Sequence, residues 1–496
     1  MAAVAQSEQS KIEERLRESL RMLGGAAFKD EDVISRGKQM IIPERMSYQD
    51  AVDFLEKRIA EEEQKTYYER TFPYRPMDGA YCTWVALKEH FGSVSHRSQT
   101  VQTMFGPKKA PPAMIDIPVG PDRIEQVPWG NFEIPFLPGV VLELGSKFDP
   151  EFGQLFHIQG QGPKKYRNEV EGIFKLVARQ LATSSIYRGQ AITGKETPDF
   201  LDLSGIDPKK VTYSEEVLAQ LGANVWSLIR YSDAFRLEGL PLKRAVLLHG
   251  PYGTGKTLAA MLTAQECVRH EWTFLYARPG RDDLNFVMQT ARLYQPACVF
   301  FEDMDVVADP GTAEGDDITR LLDLFDGLTA KSTEIQVILT TNHVEKIHKG
   351  MTRPGRLDAI IEIGSLDGAG IEKLIKAVVP HDQLSDNIDW DKVVAAMSDS
   401  DGVPDFVPAF VKEAADRTRR YAIARTGGDT SDLELTTDDF VHAATGLRPH
   451  LDLMHGAKDM VERDPLSVVV KRDVGQEMEV KLRELIHPKF LVEDEA

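Results

Sequence analysis

The sequence predicts an α/β fold built on a parallel sheet with helices on both faces, accompanied by a small helical lid and a mixed α+β N-terminal accessory domain. Three observations predict it. Four short apolar runs, residues 245–249, 274–277, 298–301 and 336–341, alternate with helical stretches, and strands buried on both faces of a parallel sheet read as such unbroken runs. The first run leads directly into a glycine-rich turn that opens a helix, and the third ends in carboxylates. At 496 residues, 42% hydrophobic and 28% charged, the chain exceeds what one core organises, so two or more domains are expected.

The elements follow in order. Ser10 and Glu13 form a capping-box pattern, with Ile12, Leu16, Leu20 and Leu23 at helical spacing before Gly24-Gly25, which predicts a helix packed on its own domain. A second helix is expected from Ser47 to about residue 65, with Glu61, Glu62 and Glu63 on a solvated face. Between residues 111 and 157, short apolar stretches such as Ile134-Pro-Phe-Leu and Val140-Val-Leu-Glu-Leu alternate with turn residues and suggest short strands. The run Gly160-Gln-Gly-Pro-Lys-Lys-Tyr reads as a surface loop, and residues 168–181 as a helix with Val170, Ile173, Phe174 and Val177 on one face. No internal repeat or long low-complexity segment is present.

Four divisions are expected: residues 1–205 as an accessory, substrate-recognition domain, 206–364 as the sheet domain, 365–450 as the helical lid, and 451–496 as a tail. The tail contains the strand-like Leu466-Ser-Val-Val-Val-Lys and a helix-like stretch at 476–486.

The net charge of -19 argues against a generally basic, nucleic-acid-coating surface. Cys82, Cys267 and Cys298 have no metal-ligand spacing and suggest neither a zinc site nor a disulfide framework. The first residues lack a basic-then-apolar signal, and no apolar run reaches the roughly 18 residues of a membrane span. A cytoplasmic protein without membrane partners is expected.

The string Gly250-Pro251-Tyr252-Gly253-Thr254-Gly255-Lys256-Thr257 is a complete G-x-x-x-x-G-K-[ST] loop, and Leu258 continues into the helix. Glycines at these places let backbone N–H groups turn inward around phosphates, and the helix N-terminus adds a positive end. Lys256 is expected to reach the β- and γ-phosphates of ATP, and the Thr257 hydroxyl to ligate Mg²⁺. The run Cys298-Val-Phe-Phe-Glu302-Asp303-Met-Asp305 supplies the carboxylates that a metal and an attacking water require. Asn342, at the end of residues 336–341, has an amide suited to hold a water and a phosphate oxygen.

These residues, in this order, resemble the AAA ATPases that carry the second region of homology, over about residues 215–415. Val225-Trp-Ser-Leu-Ile-Arg-Tyr-Ser-Asp-Ala-Phe and Leu240-Pro-Leu-Lys-Arg-Ala-Val-Leu-Leu-His-Gly resemble the family's lead-in, and Ile318-Thr-Arg-Leu-Leu-Asp-Leu-Phe-Asp-Gly-Leu its next helix. Val337-Ile-Leu-Thr-Thr-Asn342 is similar to the sensor strand, and Met351-Thr-Arg353-Pro-Gly-Arg356-Leu-Asp to the arginine-finger segment. The resemblance implies a homo-oligomeric ring, six subunits in the family, in which Arg353 or Arg356 reaches a neighbour's γ-phosphate. A rigid, permanently charged guanidinium suits that task.

Three departures bear on mechanism. Most relatives end the acidic strand Asp-Glu. Here Glu302 takes the metal-side place and Asp303 the water-orienting place, one methylene shorter. The loop Arg278-Pro-Gly-Arg-Asp-Asp283 is short and lacks the aromatic of threading unfoldases. With the Glu-Asp order and Asn342-His-Val-Glu, it is most similar to the mitochondrial type that translocates a folded Rieske protein, whose membrane span is not matched. Asp401-Gly-Val-Pro-Asp-Phe stands where other branches place a sensing arginine. The expectation is an ATPase that remodels a macromolecule, protein before nucleic acid. The alternatives are a nucleic-acid remodeller with Arg278 and Arg281 in cationic rings, or a scaffold with little hydrolysis.

Overall fold

The computed structural model describes residues 34–36, 39–41, 47–92, 95–96, 99–103, 106–110, 113–134, 136–208, 211–304, 333–344, 357–431 and 433–461. The expected first helix, the helix at 318–328, the finger segment with Arg353 and Arg356, and both tail elements lie outside them. The chain forms two compact units: one of residues 1–206, 219–250 and 256–362, the other of 207–218, 251–255 and 363–496.

In the first unit, α1 (Tyr48–Glu63) starts where Ser47 caps it, its hydroxyl accepting from Asp50 N at 3.1 Å. An antiparallel sheet follows from β1 (Lys65–Phe72), β2 (Ser95–His96), β3 (Asn131–Glu133), β4 (Val141–Asp149) and β5 (Gly153–Pro163), in the order β1-β5-β4-β3-β2. Further hairpins pair Ile34–Arg36 with Gln39–Ile41, Gln99–Thr103 with Gly106–Ala110, and Ala113–Gly120 with Arg123–Trp129. Two helices, α2 (Pro76–Phe91) and α3 (Arg167–Ser184), pack with this sheet, and the expected stripe Val170, Ile173, Phe174 and Val177 is buried.

Two local expectations are corrected. Residues 160–163 are not a surface loop but the end of β5: Gly160 and Gln161 are paired on both sides, Gly160 opposite Leu142 and Tyr68, and Gly162 and Pro163 are paired with β1. A Cβ on Gly160 would lie 2.1 Å from Val141 O, and one on Gly162 2.7 Å from a Val140 methyl, so the glycines that read as loop signals serve close strand packing. Ile134 and Leu137 form turns rather than a strand, Leu137 N donating to Ile134 O at 2.9 Å.

The second sheet has six strands: β6 (Ala191–Thr193), β7 (Arg244–His249), β8 (Thr273–Ala277), β9 (Ala297–Phe301), β10 (Ile335–Thr341) and β11 (Ala359–Glu362). Their order is β6-β8-β9-β10-β7-β11, and every neighbouring pair is parallel. All four predicted apolar runs are strands here, and β8, β9 and β10 are buried throughout. Helices α4 (Lys256–Arg269) and α5 (Leu284–Leu293) follow β7 and β8. The edge strand β6 falls inside the segment assigned from sequence to the accessory domain. Three residues carry too short a pattern to separate a strand of one sheet from another.

One continuous core joins the two sheets, from Phe72, Phe156 and Phe174 to Val287, Tyr294 and Phe301. A buried polar knot reinforces it. The Arg75 guanidinium donates to the carbonyls of Phe152 (2.9 Å), Gln154 (3.0 Å) and Phe286 (3.2 Å) and to Thr290 Oγ1 (2.7 Å), and lies over the Phe286 ring. Asp78, fully buried, accepts from Ser185 Oγ, Ile186 N and Tyr294 OH at 2.6, 3.0 and 3.0 Å. These bonds offset the cost of burying charge.

In the second unit, α6 (Gly368–Val378), α7 (Trp390–Ala396), α8 (Pro408–Arg425) and α9 (Thr437–Val461) surround a core that includes Ile371, Phe406, Val411 and Phe440. These helices fall in the segment from which a helical domain is expected, though α9 runs past residue 450. No helix among the described residues is long and apolar enough to cross a membrane.

Gly79, within α2, faces the Phe156 ring so closely that a Cβ would fall 1.9 Å from it. Alanine gains about 1 kcal/mol of helix propensity, but overpacking beside a fully buried ring costs about 1–3 kcal/mol and here lies at the upper end. Gly79→Ala is therefore expected to lower stability by about 1–2 kcal/mol, read as an earlier urea midpoint. An unchanged or later midpoint would show that the ring yields.

Candidate nucleotide site

Because β9, β10 and β7 are adjacent and parallel, their C-terminal ends share one edge of the sheet, where ligands of open α/β sheets bind. That edge holds Gly250, where the glycine-rich turn leaves β7, with Glu302 and Asp303 after β9 and Asn342 after β10.

The turn has a conformation that its sequence requires. Gly250, Gly253 and Gly255 have φ of 151°, 81° and 100°, values that L side chains adopt rarely. Thr254 is fully buried and donates to Pro251 O at 3.0 Å. Tyr252 is exposed, and Leu258 is half-buried in α4. The Lys256 ammonium, on a nearly buried side chain, donates to Gly250 O at 2.7 Å and so folds back over its own loop. Two residues outside the motif hold the turn. The buried Tyr213 hydroxyl donates to Gly255 O at 2.7 Å, and Ala409 N donates to Gly253 O at 3.1 Å.

Across the sheet edge, the Thr257 hydroxyl donates to Glu302 Oε1. Glu302 Oε2 accepts from the Tyr276 hydroxyl and lies 3.4 Å from Arg278 Nε. Burial and this carboxylate push the Tyr276 phenol up to about 12, so it donates at neutral pH. Asp303 sits at φ 54°, a left-handed conformation that costs a residue with a Cβ about 1–2 kcal/mol. It is held there by its N–H, which donates to Thr340 Oγ1 at 2.9 Å. Its carboxylate accepts from Asn342 Nδ2 at 3.0 Å. The two carboxylates thus face different partners: Glu302 the loop threonine, Asp303 the sensor amide.

Within the first unit the structure therefore brings Lys256 to Gly250, Thr257 to Glu302 and Asp303 to Asn342, while residues 251–255 are counted in the second unit and Arg353 and Arg356 lie outside the described residues. Among the described residues, no group of three or more His, Cys, Asp or Glu side chains is placed to hold a metal. A hydroxyl backed by one carboxylate beside a phosphate loop still suits Mg²⁺, which takes few protein ligands and completes its shell with phosphate and water.

Arg278 corrects the expectation of an outward cation, since it turns to Glu302 and stacks over the Tyr276 ring at 5.5 Å. Sequence reading missed Tyr213 and Tyr276. A signal existed for Tyr276, which stands near the C-terminal end of a buried parallel strand. Nothing in the sequence near Tyr213 marks it. Cys267 and Cys298, also distant in sequence, are adjacent, buried and unoxidised.

Residues 246–365 match the family model "ATPase family associated with various cellular activities (AAA)". The chain is 27% identical to the Cell division cycle protein 48 homolog of Archaeoglobus fulgidus, over 45% of this chain and 32% of that protein. It is also 27% identical to Proteasome-activating nucleotidase 1 of Halobacterium salinarum, over 46% and 58%, and to the Peroxisomal ATPase PEX6 of Arabidopsis thaliana, over 43% and 24%. The alignments thus span from about a quarter to somewhat over half of these relatives' lengths. The matched segment is an AAA ATPase domain.

Tyr213→Phe keeps the ring but leaves Gly255 O without its donor, at a cost of about 1–3 kcal/mol. The variant is expected to melt earlier and to bind nucleotide several-fold more weakly, read by thermal melting and by titration with a fluorescent ATP analogue. Parent-like values in both would show that the hydroxyl does not hold the turn.

Proposed function

We propose that this protein hydrolyses ATP with Mg²⁺ and uses the cycle, within a ring of its own copies, to remodel a protein substrate. The observation that carries the reading is that one sheet edge holds the Lys256–Gly250, Thr257–Glu302 and Asp303–Asn342 pairs.

Each group has a task that follows from its contacts. The glycines of the turn leave backbone N–H groups free to close on phosphate oxygens. Lys256 exchanges the carbonyl of Gly250 for the β- and γ-phosphates, a stronger, charge-assisted pairing. Thr257 would hold Mg²⁺ with Glu302 behind it, and the ion, when bound, offsets charge on the phosphates. Asp303 and Asn342, already bonded to each other, are placed to orient the attacking water between carboxylate and amide. The left-handed backbone at Asp303 fixes the start of a side chain one methylene shorter than the usual glutamate.

The ring and the protein substrate are supported by the finger-like Arg353 and Arg356 and by relatives named for proteasome activation and as a peroxisomal ATPase. The short loop after β8 and the Glu302-Asp303 order support a likeness to the translocase of folded Rieske protein. A folded rather than a threaded substrate follows from that likeness. With Arg278 turned inward, the nucleic-acid reading keeps only Arg281 of its two cations.

Lys256→Ala is expected to abolish ATP binding at micromolar nucleotide, because the loop loses its charge on the β- and γ-phosphates. Asp303→Asn should retain ATP binding and lose turnover, measured as phosphate release. Undiminished binding in the first variant overturns the site, and normal turnover in the second overturns the role of Asp303.

If Arg353 serves a neighbour, Arg353→Ala should lower turnover by on the order of 10³-fold with ATP affinity nearly intact. Mixing it with Lys256→Ala subunits should then restore part of the activity, because each supplies what the other lacks. Parent-rate hydrolysis by Arg353→Ala alone would remove the case for a shared site.

A further inference from the structure

Glu302 has more partners than a carboxylate backing Thr257 needs. Oε1 is taken by the Thr257 hydroxyl, while Oε2 accepts from Tyr276 and lies 3.4 Å from Arg278 Nε. Tyr276 and Arg278 stand at the end of β8, the strand beside β9. The glutamate's extra methylene, where the family has aspartate, gives the carboxylate reach toward that neighbouring strand. Arg278 is held in place by its own loop: its N–H donates to Asp282 Oδ2 at 2.8 Å, and its carbonyl accepts from Arg281 N at 3.1 Å and Asp282 N at 3.0 Å. Asp283 closes the other end by capping α5, accepting from Asn285 N at 2.9 Å.

We propose that Arg278 is a positioning residue that acts through Glu302: a resident cation on the carboxylate oxygen turned away from Thr257, by which the loop of residues 278–283 sets how much divalent metal the nucleotide site requires. The proposal rests on the reading of this edge as a Mg²⁺–nucleotide site. A carboxylate shared with a guanidinium offers less negative charge to a second cation, so Arg278 and the metal draw on the same group. Tyr276 is a neutral donor and fixes the orientation of Oε2 without competing for charge. Whatever pulls on the loop would shift Arg278 and so change metal affinity, a route from loop to chemistry that needs no contact between the loop and the nucleotide.

The Arg278 side chain is 51% exposed, so its replacement leaves no cavity and the variants are expected to fold. The test uses the full chain with saturating ADP and Mn²⁺ as a probe whose free fraction is read by electron paramagnetic resonance. Arg278→Gln should lower the Mn²⁺ concentration for half-saturation by about five-fold or more, the scale expected for one charge removed near a partly buried site. Arg278→Lys keeps the charge and should stay within about two-fold of the parent, a split that a purely structural role would not give. Unchanged or weaker Mn²⁺ binding in Arg278→Gln, or equal effects of Gln and Lys, overturns the assignment. A parent protein that binds no nucleotide in the presence of Mn²⁺ overturns instead the nucleotide-site reading on which it rests.

Discussion

The hydrogen-bonded ladder that joins β9, β10 and β7 in parallel limits where every chemical group of the site can stand. Leu248 is opposite Thr340 and Phe301 opposite Leu339, so the three strands end within a residue or two of one another. Backbone groups that leave such a sheet must find new partners or water, and here they do so in ways that build the site. Asp303 N is satisfied by the Thr340 hydroxyl, which turns the chain into the left-handed region and aims the carboxylate at Asn342. In the turn after β7, two carbonyls, those of Gly255 and Gly253, are satisfied by Tyr213 and Ala409.

Behind that edge, stability comes from a core that does not respect the division into accessory and sheet domains. Apolar side chains of α2, α3 and β5 run without a break into those of α5 and β9. The Arg75 and Asp78 networks place two charged groups within it, each with its hydrogen-bonding capacity turned to carbonyls, hydroxyls or an N–H. Removing one partner would leave others buried without bonds, so the knot resists local rearrangement more than it adds net stability. The geometric consequence concerns α5, which begins where the loop of residues 278–283 ends. That helix is bonded through Phe286 and Thr290 to Arg75 at the start of α2, so the loop has one end fixed by that knot and the other on β8.

The two adjacent carboxylates show how environment separates like groups. Glu302, with 13% of its side chain exposed, is surrounded by a threonine, a phenol and a guanidinium, all of them donors. Asp303 meets a neutral amide and a backbone twist. Glu302 is thus tied to Thr257 and to the end of β8, and Asp303 to the end of β10. The exchange of Glu and Asp relative to the family order leaves this distinction in place. It changes how far each carboxylate reaches, and hence which neighbours it meets.

Much was legible from the chain alone, for a physical reason in each case. A strand buried on both faces has to be apolar throughout, which exposed β7, β8, β9 and β10 to within a residue. A phosphate turn demands glycine at positive φ, which marked Gly250, Gly253 and Gly255, and Ser47 capped α1 where an orphan N–H required an acceptor. What the sequence could not specify depends on packing between distant segments. Gly160 and Gly162 look like loop residues until a neighbouring strand occupies the space of their missing side chains. The three residues of β6 acquire a sheet only from β8. The partners of Glu302, the support that Tyr213 gives to Gly255 and the turn of Arg278 toward Glu302 each join residues at least 24 positions apart in the chain, from Arg278 and Glu302 to Thr257 and Glu302. Local composition carries the conformational preference of a segment, whereas these contacts arise only when the sheet's parallel order brings separate strand ends to a common edge.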